Sequence, residues 1–156
     1  MTTIPSKIDP TEQESTGRTR NLPWMLRLLS LSAGLFILCL FVVARILQPD
    51  EAGLGTHMQL GLPPCTSISL LGLPCPSCGM TTAWSLLTRG QLSLALQRNA
   101  GGTLLAIIGI AYLPASCYFF FCGRSTRGWF SLALAIAIAS ALGVSICQWM
   151  VRLSVA

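Results

Sequence analysis

Three long apolar runs are the feature that most constrains the fold of this chain. They cover about residues 24–47, 103–122 and 129–151. A helix rises about 1.5 Å per residue and a hydrocarbon core is about 30 Å thick, so each run is long enough to span a membrane. None of them has an ionisable residue near its centre, which argues against a proton relay or a voltage sensor. The sequence therefore predicts an all-α membrane protein with three transmembrane helices.

The distribution of charge fits the same prediction. Only 10% of the chain is charged, against about 25% in soluble domains, and the basic residues are scattered singly rather than gathered in a patch. We therefore expect the lipid bilayer as a partner, and no nucleic acid. A small excess of Lys and Arg on the side of the membrane that holds the N terminus predicts that this side is cytoplasmic, with the loop after the first run on the outer face.

The first apolar run also sets the domain organisation. Residues 1–23 are polar and their charges cancel, which predicts a disordered N-terminal tail. Residues 24–156 then form a single membrane domain. A cleaved signal peptide is the competing interpretation of the first run, but the run is longer and begins later than the apolar part of a signal peptide.

Between the first and second runs the pattern changes twice. Residues 48–79 carry Gly and Pro at a density that helices and central strands do not tolerate, which predicts a shaped loop. Residues 80–99 place apolar side chains at three- and four-residue steps, which is typical of an amphipathic helix, and Gly90 interrupts or caps it. Two arginines and a polar face oppose insertion, so we expect this short helix to be interfacial or re-entrant rather than spanning.

The seven cysteines divide into two groups. Four lie within or at the end of apolar stretches, where a cysteine usually behaves as a small buried hydrophobic residue: Cys39, Cys117, Cys122 and Cys147. The other three lie in the loop, where no core packing explains them: Cys65, Cys75 and Cys78. The chemistry of the chain is therefore expected in the loop.

The loop cysteines and His57, the only histidine of the chain, predict a metal site. The C-x-x-C-G turn places the thiolates of Cys75 and Cys78 where they converge on one ion, and Gly79 permits the turn. Cys65 and His57 complete a Cys3His set for a tetrahedral structural site. Zinc is the expected ion because thiolates and imidazole suit it, and iron is the alternative. Four protein ligands leave no position for a substrate, so this prediction favours a membrane scaffold or partner-binding module over an enzyme.

Two other interpretations of the loop stay open. In the first, Cys75 and Cys78 form a redox pair in front of a helix whose N-terminal dipole lowers a thiol pKa. Cys75 then attacks, Cys78 resolves and Cys65 relays electrons, as in a membrane-bound thiol–disulfide oxidoreductase. In the second, two of the three cysteines form a structural disulfide and the third is free.

Small residues on the third run indicate a helix contact. Ala135, Ala139 and Gly143 repeat at four-residue steps, a spacing that lets another helix approach closely in lipid. The stripe predicts packing within a bundle or a seam with a second chain, either a homo-oligomer or another membrane protein. A third interpretation of the function is therefore an accessory subunit of a membrane complex.

The residues around the loop cysteines resemble a known family. Gly61-Leu-Pro-Pro-Cys65 is followed by Gly72-Leu-Pro-Cys75-Pro-Ser-Cys78-Gly79-Met-Thr-Thr-Ala83. With this C-P-x-C-G-x-T motif, the chain resembles from about His57 to Leu113 the small bacterial membrane proteins grouped as a domain of unknown function, DUF2752.

The resemblance implies a compact knuckle, an amphipathic helix, a turn at Gly90, Asn99 and then a membrane span. It implies a bacterial inner membrane as the location, and no activity. The family often has an arginine after the knuckle threonine, whereas this chain has Thr82 after Thr81. No role of that arginine is therefore carried over to this chain.

Overall fold

The computed structural model describes residues 22–50, 55–123 and 128–155. Within these ranges every regular element is a helix, so the predicted all-α fold is confirmed. The disordered tail predicted for residues 1–23 falls almost wholly outside the described residues.

The helices follow the order α1 Trp24–Ile46, a 3-10 helix Thr56–Leu60, α2 Thr66–Leu71, α3 Met80–Leu87, α4 Leu92–Arg98, α5 Ala100–Cys122 and α6 Trp129–Val155. Three of them, α1, α5 and α6, are long and apolar enough to cross a membrane. The second of these begins three residues before the predicted apolar run. The reason is Asn99, whose side-chain oxygen accepts a hydrogen bond from the Gly102 N–H at 2.7 Å and so caps the helix.

Helix α5 lies between α1 and α6, which do not contact each other in the described part of the chain. Two glycines allow the close approach on either side of α5. A Cβ atom at Gly34 of α1 would clash with Ser116 of α5, and one at Gly101 of α5 would clash with the backbone of Ala141 on α6. Small residues thus set the spacing of both helix pairs, as expected where lipid supplies no hydrophobic drive for association.

The prediction that the four cysteines of the apolar stretches are buried is wrong for this chain. Each of them is exposed in the structure, because each long helix buries only the face that it turns to its neighbours. On a helix that crosses a membrane, such a face lies against lipid or against another protein. The exposed residues are Cys39, Cys117, Cys122 and Cys147.

The small-residue stripe of α6 also points away from α5. Ala135, Ala139 and Gly143 are exposed, whereas Ala141 and Ser145 are buried on the face towards α5. The stripe is therefore not the seam that α6 uses inside the chain. Its use as a seam with a second chain stays a prediction.

The loop between α1 and α3 contains more helix than the Gly and Pro content suggested. Gln48 and Gln59 hold the start of this stretch through reciprocal hydrogen bonds between backbone and side chain, at 3.0 and 2.7 Å. The expectation of a helix-free loop is wrong at Thr66–Leu71, where α2 forms. These six residues contain neither Gly nor Pro, and Gly72 ends the helix with a φ of 68°.

The predicted amphipathic helix over residues 80–99 is divided in two. It becomes α3 and α4, joined by a turn in which Gly90 has a φ of 79°, so the expected interruption at this glycine is observed. Thr82 and Ser85 of α3, which the pattern places on the polar face, are buried. Thr82 shares a hydrogen bond of 2.8 Å with the hydroxyl of Thr56, and Ser85 donates one of 2.7 Å to the carbonyl oxygen of Leu47.

The C-terminal ends of α1 and α6 and the N-terminal end of α5 lie at the same end of the bundle. Arg89, just after α3, donates to the carbonyl oxygens of Arg45 and Leu47 and so closes the last turn of α1. The loop cysteines lie at this end, where the turn that carries Cys75 and Cys78 is hydrogen-bonded to Asn99 and to Ser145 of α6.

Candidate metal centre

The turn that carries Cys75 and Cys78 is closed by its own backbone. Residues 75–79, which we call the knuckle, form hydrogen bonds from the Cys78 N–H to the Cys75 carbonyl at 3.0 Å and from the Met80 N–H to the Ser77 carbonyl at 3.1 Å. Gly79 has a φ of 83° and directly precedes α3. This conformation is open to glycine and costs other residues energy, so the knuckle needs glycine at this position.

Side chains from α5 and α6 hold the knuckle in place. Asn99 is 1% exposed, and its amide nitrogen donates to the carbonyl oxygens of Pro76 and Cys78 at 3.1 and 3.2 Å. Ser145 donates to the same Pro76 carbonyl at 2.8 Å, and the Trp149 indole N–H donates to the carbonyl of Pro74. The knuckle is therefore attached to the membrane helices independently of any ion.

Sequence reasoning missed this anchoring role of Asn99, Ser145 and Trp149. The position of Asn99 directly before an apolar run is a helix-capping signal that could have identified its side-chain oxygen as a cap. Nothing in the local pattern around Ser145 or Trp149 connects them to a loop about 70 residues earlier in the chain.

The structure brings three of the four predicted metal ligands together. The Sγ atoms of Cys65, Cys75 and Cys78, which we call the sulfur cluster, all lie within 4.8 Å of one another. The Cys75 and Cys78 sulfurs are 3.2 Å apart, and the Cys75 N–H also donates to the Cys78 sulfur at 3.2 Å. Zinc–sulfur bonds of about 2.3 Å in a tetrahedral site separate the sulfurs by about 3.8 Å. The three cysteines are thus positioned to hold a metal ion after small shifts.

His57 lies beside the sulfur cluster but is not part of it. The histidine is on the 3-10 helix Thr56–Leu60, and it lines a cavity of about 510 Å³ together with the three cysteines. Its ring nitrogens are not among the ligand atoms within 4.8 Å of one another. The role of His57 as the fourth ligand therefore stays a prediction.

The pKa values of the Cys65 and Cys78 thiols are shifted in opposite directions. The backbone N–H of Ile68, followed by the thiols of Cys78 and Cys75, lowers the pKa of Cys65 from 9.0 to about 7. Burial, followed by the thiols of Cys75 and Cys65, raises the pKa of Cys78 from 9.0 to about 12. Since thiolates bind metals and attack disulfides, Cys65 supplies a negative sulfur to this site near neutral pH.

Helix α2, which begins directly after Cys65, has little packing of its own. None of its residues is buried, and it contacts no other helix in the described part of the chain. Its last two residues, Leu70 and Leu71, are 77% and 71% exposed. A bond from Cys65 to an ion shared with the knuckle would therefore attach α2 to the bundle, which it otherwise does not contact through any described helix.

Comparison with known proteins supports the predicted family resemblance. Residues 65–113 match the family described as Protein of unknown function (DUF2752). The matched stretch begins at Cys65 and includes the knuckle, α3, α4 and about half of α5, while His57 lies outside it. No curated protein and no solved structure matches the chain.

Proposed function

We propose that the protein is a membrane scaffold whose loop between α1 and α3 is held by a structural zinc ion. Cys65, Cys75 and Cys78 supply three thiolates, and His57 supplies the fourth ligand. A tetrahedral site with four protein ligands has no open position, so the ion stabilises the fold and takes no part in a reaction.

The observation that carries this proposal is the contrast between the two sides of the sulfur cluster. The knuckle is attached to α5 and α6, whereas α2 contacts no other described helix. An ion bound by both sides would fix α2 and Cys65 to the membrane helices. Fixing a loosely packed segment in this way is what structural zinc does in small domains.

Metal analysis of the purified protein tests the proposal. The full chain is purified in detergent without added metal, and its zinc and iron are measured by mass spectrometry. We expect about one zinc per chain, loss of that zinc in Cys75→Ser and weaker retention in His57→Ala. Cys39→Ser is the matched control, because Cys39 is exposed on α1 and is not one of the clustered cysteines. Protein without metal, or zinc retained in Cys75→Ser, would contradict the proposal.

A second candidate function is thiol–disulfide exchange. The Cys75 and Cys78 sulfurs are 3.2 Å apart, and a disulfide needs them at about 2.05 Å. The lowered pKa of Cys65 favours this residue as the attacking thiolate, in place of Cys75. Absence of metal together with a reversible disulfide between Cys75 and Cys78, detected by mass spectrometry, would favour the enzyme over the scaffold.

The three long apolar helices support a membrane location for the scaffold. We propose a bacterial inner membrane with the N terminus in the cytoplasm and the sulfur cluster on the outer face. The exposed stripe of Ala135, Ala139 and Gly143 is available for a homo-oligomer or for a larger membrane complex in which the protein is an accessory subunit. Labelling Cys65 with an impermeant thiol reagent in intact cells treated with a chelator tests the orientation. Comparison of the crosslinked products of the wild type and of Gly143→Leu tests whether the stripe contacts another chain.

A further inference from the structure

The cavity beside the sulfur cluster is large and mostly apolar. It measures about 510 Å³, and the C-terminal end of α1 and the residue after it line it with Leu40, Val43 and Leu47. Trp84 of α3 adds an aromatic ring to this wall, while the sulfur cluster and His57 lie on its lining as well. Cavities of about 300 to 1,000 Å³ with apolar walls and a few polar groups are typical of sites for small organic ligands.

The segment next to this cavity has the surface of a membrane-embedded element. Residues 55–73, which we call the upstream segment, contain no Lys, Arg, Asp or Glu. Six of their large apolar side chains are exposed: Met58, Leu60, Leu62, Leu70, Leu71 and Leu73. Such a surface is unfavourable in water and favourable at the boundary between headgroups and acyl chains. The cavity also borders α1, a helix long and apolar enough to cross a membrane.

The sulfur cluster indicates which reaction such a molecule could take part in. Cys75 and Cys78 are close enough to form a disulfide after a small approach of their sulfurs. Joining two thiols releases two electrons and two protons, so an acceptor that takes both and dissolves in lipid is required. An isoprenoid quinone has this chemistry, with a ring that accepts two electrons and two protons and a tail that stays among the acyl chains.

We propose that this cavity binds the ring of an isoprenoid quinone, which oxidises Cys75 and Cys78. The two S–H bonds break and one S–S bond forms between these residues. Both electrons and both protons pass to the quinone, whose two carbonyl oxygens become the hydroxyls of the hydroquinone. His57, on the lining of the same cavity, offers a ring N–H as a donor to a quinone oxygen.

This inference goes beyond the proposed zinc site and concerns the metal-free cluster. Zinc bound to Cys75 and Cys78 occupies the electron pairs that a disulfide would need, so the zinc-loaded protein is expected not to react. Zinc content and quinone reduction are measured separately. Failure of one proposal can therefore be distinguished from failure of the other.

The experiment uses the full chain in detergent, reduced and treated with a chelator, with decylubiquinone as the probe. Hydroquinone formation is followed by absorbance, and the oxidation state of each cysteine is determined by differential alkylation and mass spectrometry. Val43→Trp places a large ring at the wall of the cavity. Val42→Trp is the matched control, because Val42 is the neighbouring exposed residue on α1 and lines a different groove. Diamide, a water-soluble thiol oxidant, shows whether each variant still forms the disulfide.

We expect one hydroquinone per disulfide between Cys75 and Cys78. The rate with decylubiquinone should fall about tenfold or more in Val43→Trp, since a filled apolar pocket discriminates by about this factor. Val42→Trp should keep the wild-type rate, and diamide should oxidise both variants equally. If diamide forms the disulfide in the wild type but decylubiquinone does not, or if both variants react with the quinone alike, the inference is overturned.

Discussion

The two regions that supply cysteines to the sulfur cluster are held in different ways. The knuckle, residues 75–79, is bound to α5 and α6 by the side chains of Asn99 and Ser145, and Trp149 of α6 binds the preceding residue, Pro74. The upstream segment, residues 55–73, is attached near its beginning by the hydroxyl pair of Thr56 and Thr82, whereas α2 contacts no other described helix. The knuckle is therefore held in place without an ion. Cys65, in contrast, lies beside a helix with few contacts, which a bond from Cys65 to a metal would hold.

The largest effect is expected from removing the anchor of the knuckle. Asn99→Ala deletes two hydrogen bonds to knuckle carbonyls and the cap of α5, so the Gly102 N–H loses its side-chain partner. We expect it to lower the free energy of unfolding by about 2–4 kcal/mol and to reduce the metal content. Denaturant unfolding in detergent and metal analysis measure both effects.

The control for this substitution is Gln97→Ala at the nearby exposed position. It should change stability by less than about 0.5 kcal/mol. If Asn99→Ala is as stable as the control and keeps its metal, then the knuckle does not depend on α5.

Removing the metal should separate the two regions. After chelation we expect backbone amide exchange in residues 66–71 to become faster by about tenfold or more, because α2 then loses its link to the bundle. Exchange in α3 should change little, since Thr82, Ala83 and Leu86 stay buried without the ion. Hydrogen exchange followed by mass spectrometry measures both stretches in the same sample. Equal loosening of both would show that the metal supports the whole end of the bundle.

A smaller difference between the two regions is expected in how fast their thiols are alkylated, and this difference depends on pH. The pKa of Cys65 is lowered to about 7, so its thiolate is present above about pH 7 and is lost as the pH falls below it. In metal-free protein we expect alkylation of Cys65 by iodoacetamide to rise through this pH. Cys78, with a pKa raised to about 12, should stay largely unreactive at neutral pH. Faster alkylation of Cys78 than of Cys65 at pH 7, measured by mass spectrometry, would reverse the assignment.

The smallest effect is expected at the exposed end of α2. Leu70 is 77% exposed, so Leu70→Ser removes almost no packing and should change the free energy of unfolding in detergent by less than about 0.5 kcal/mol. A loss above about 2 kcal/mol in the same unfolding assay would mean that α2 packs against something that the single chain does not show.

Features that depend on local pattern were predictable from the sequence. The three long helices follow from apolar length, and the knuckle turn follows from the C-x-x-C-G spacing with its glycine. The convergence of Cys65 on Cys75 and Cys78 was predicted from ligand counting. Ligand counting also included His57, which lies on the same cavity but outside the cluster.

Features that depend on distant contacts were not predictable from one sequence. Helix α2 is too short for periodicity to reveal it. Thr82 and Ser85 look like solvent-facing residues until the carbonyl of Leu47 and the hydroxyl of Thr56 are placed beside them. Ser145 reaches the knuckle across 69 positions of the chain, and no local pattern carries that information.

The most direct test of the central claim is X-ray absorption at the zinc K-edge of the purified, unmodified protein. The account predicts one zinc per chain with three sulfur ligands at about 2.3 Å and one nitrogen ligand at about 2.0 Å, assigned to His57 by the change in His57→Ala. A zinc shell without these sulfurs, or protein that binds no zinc when zinc is supplied, would contradict it.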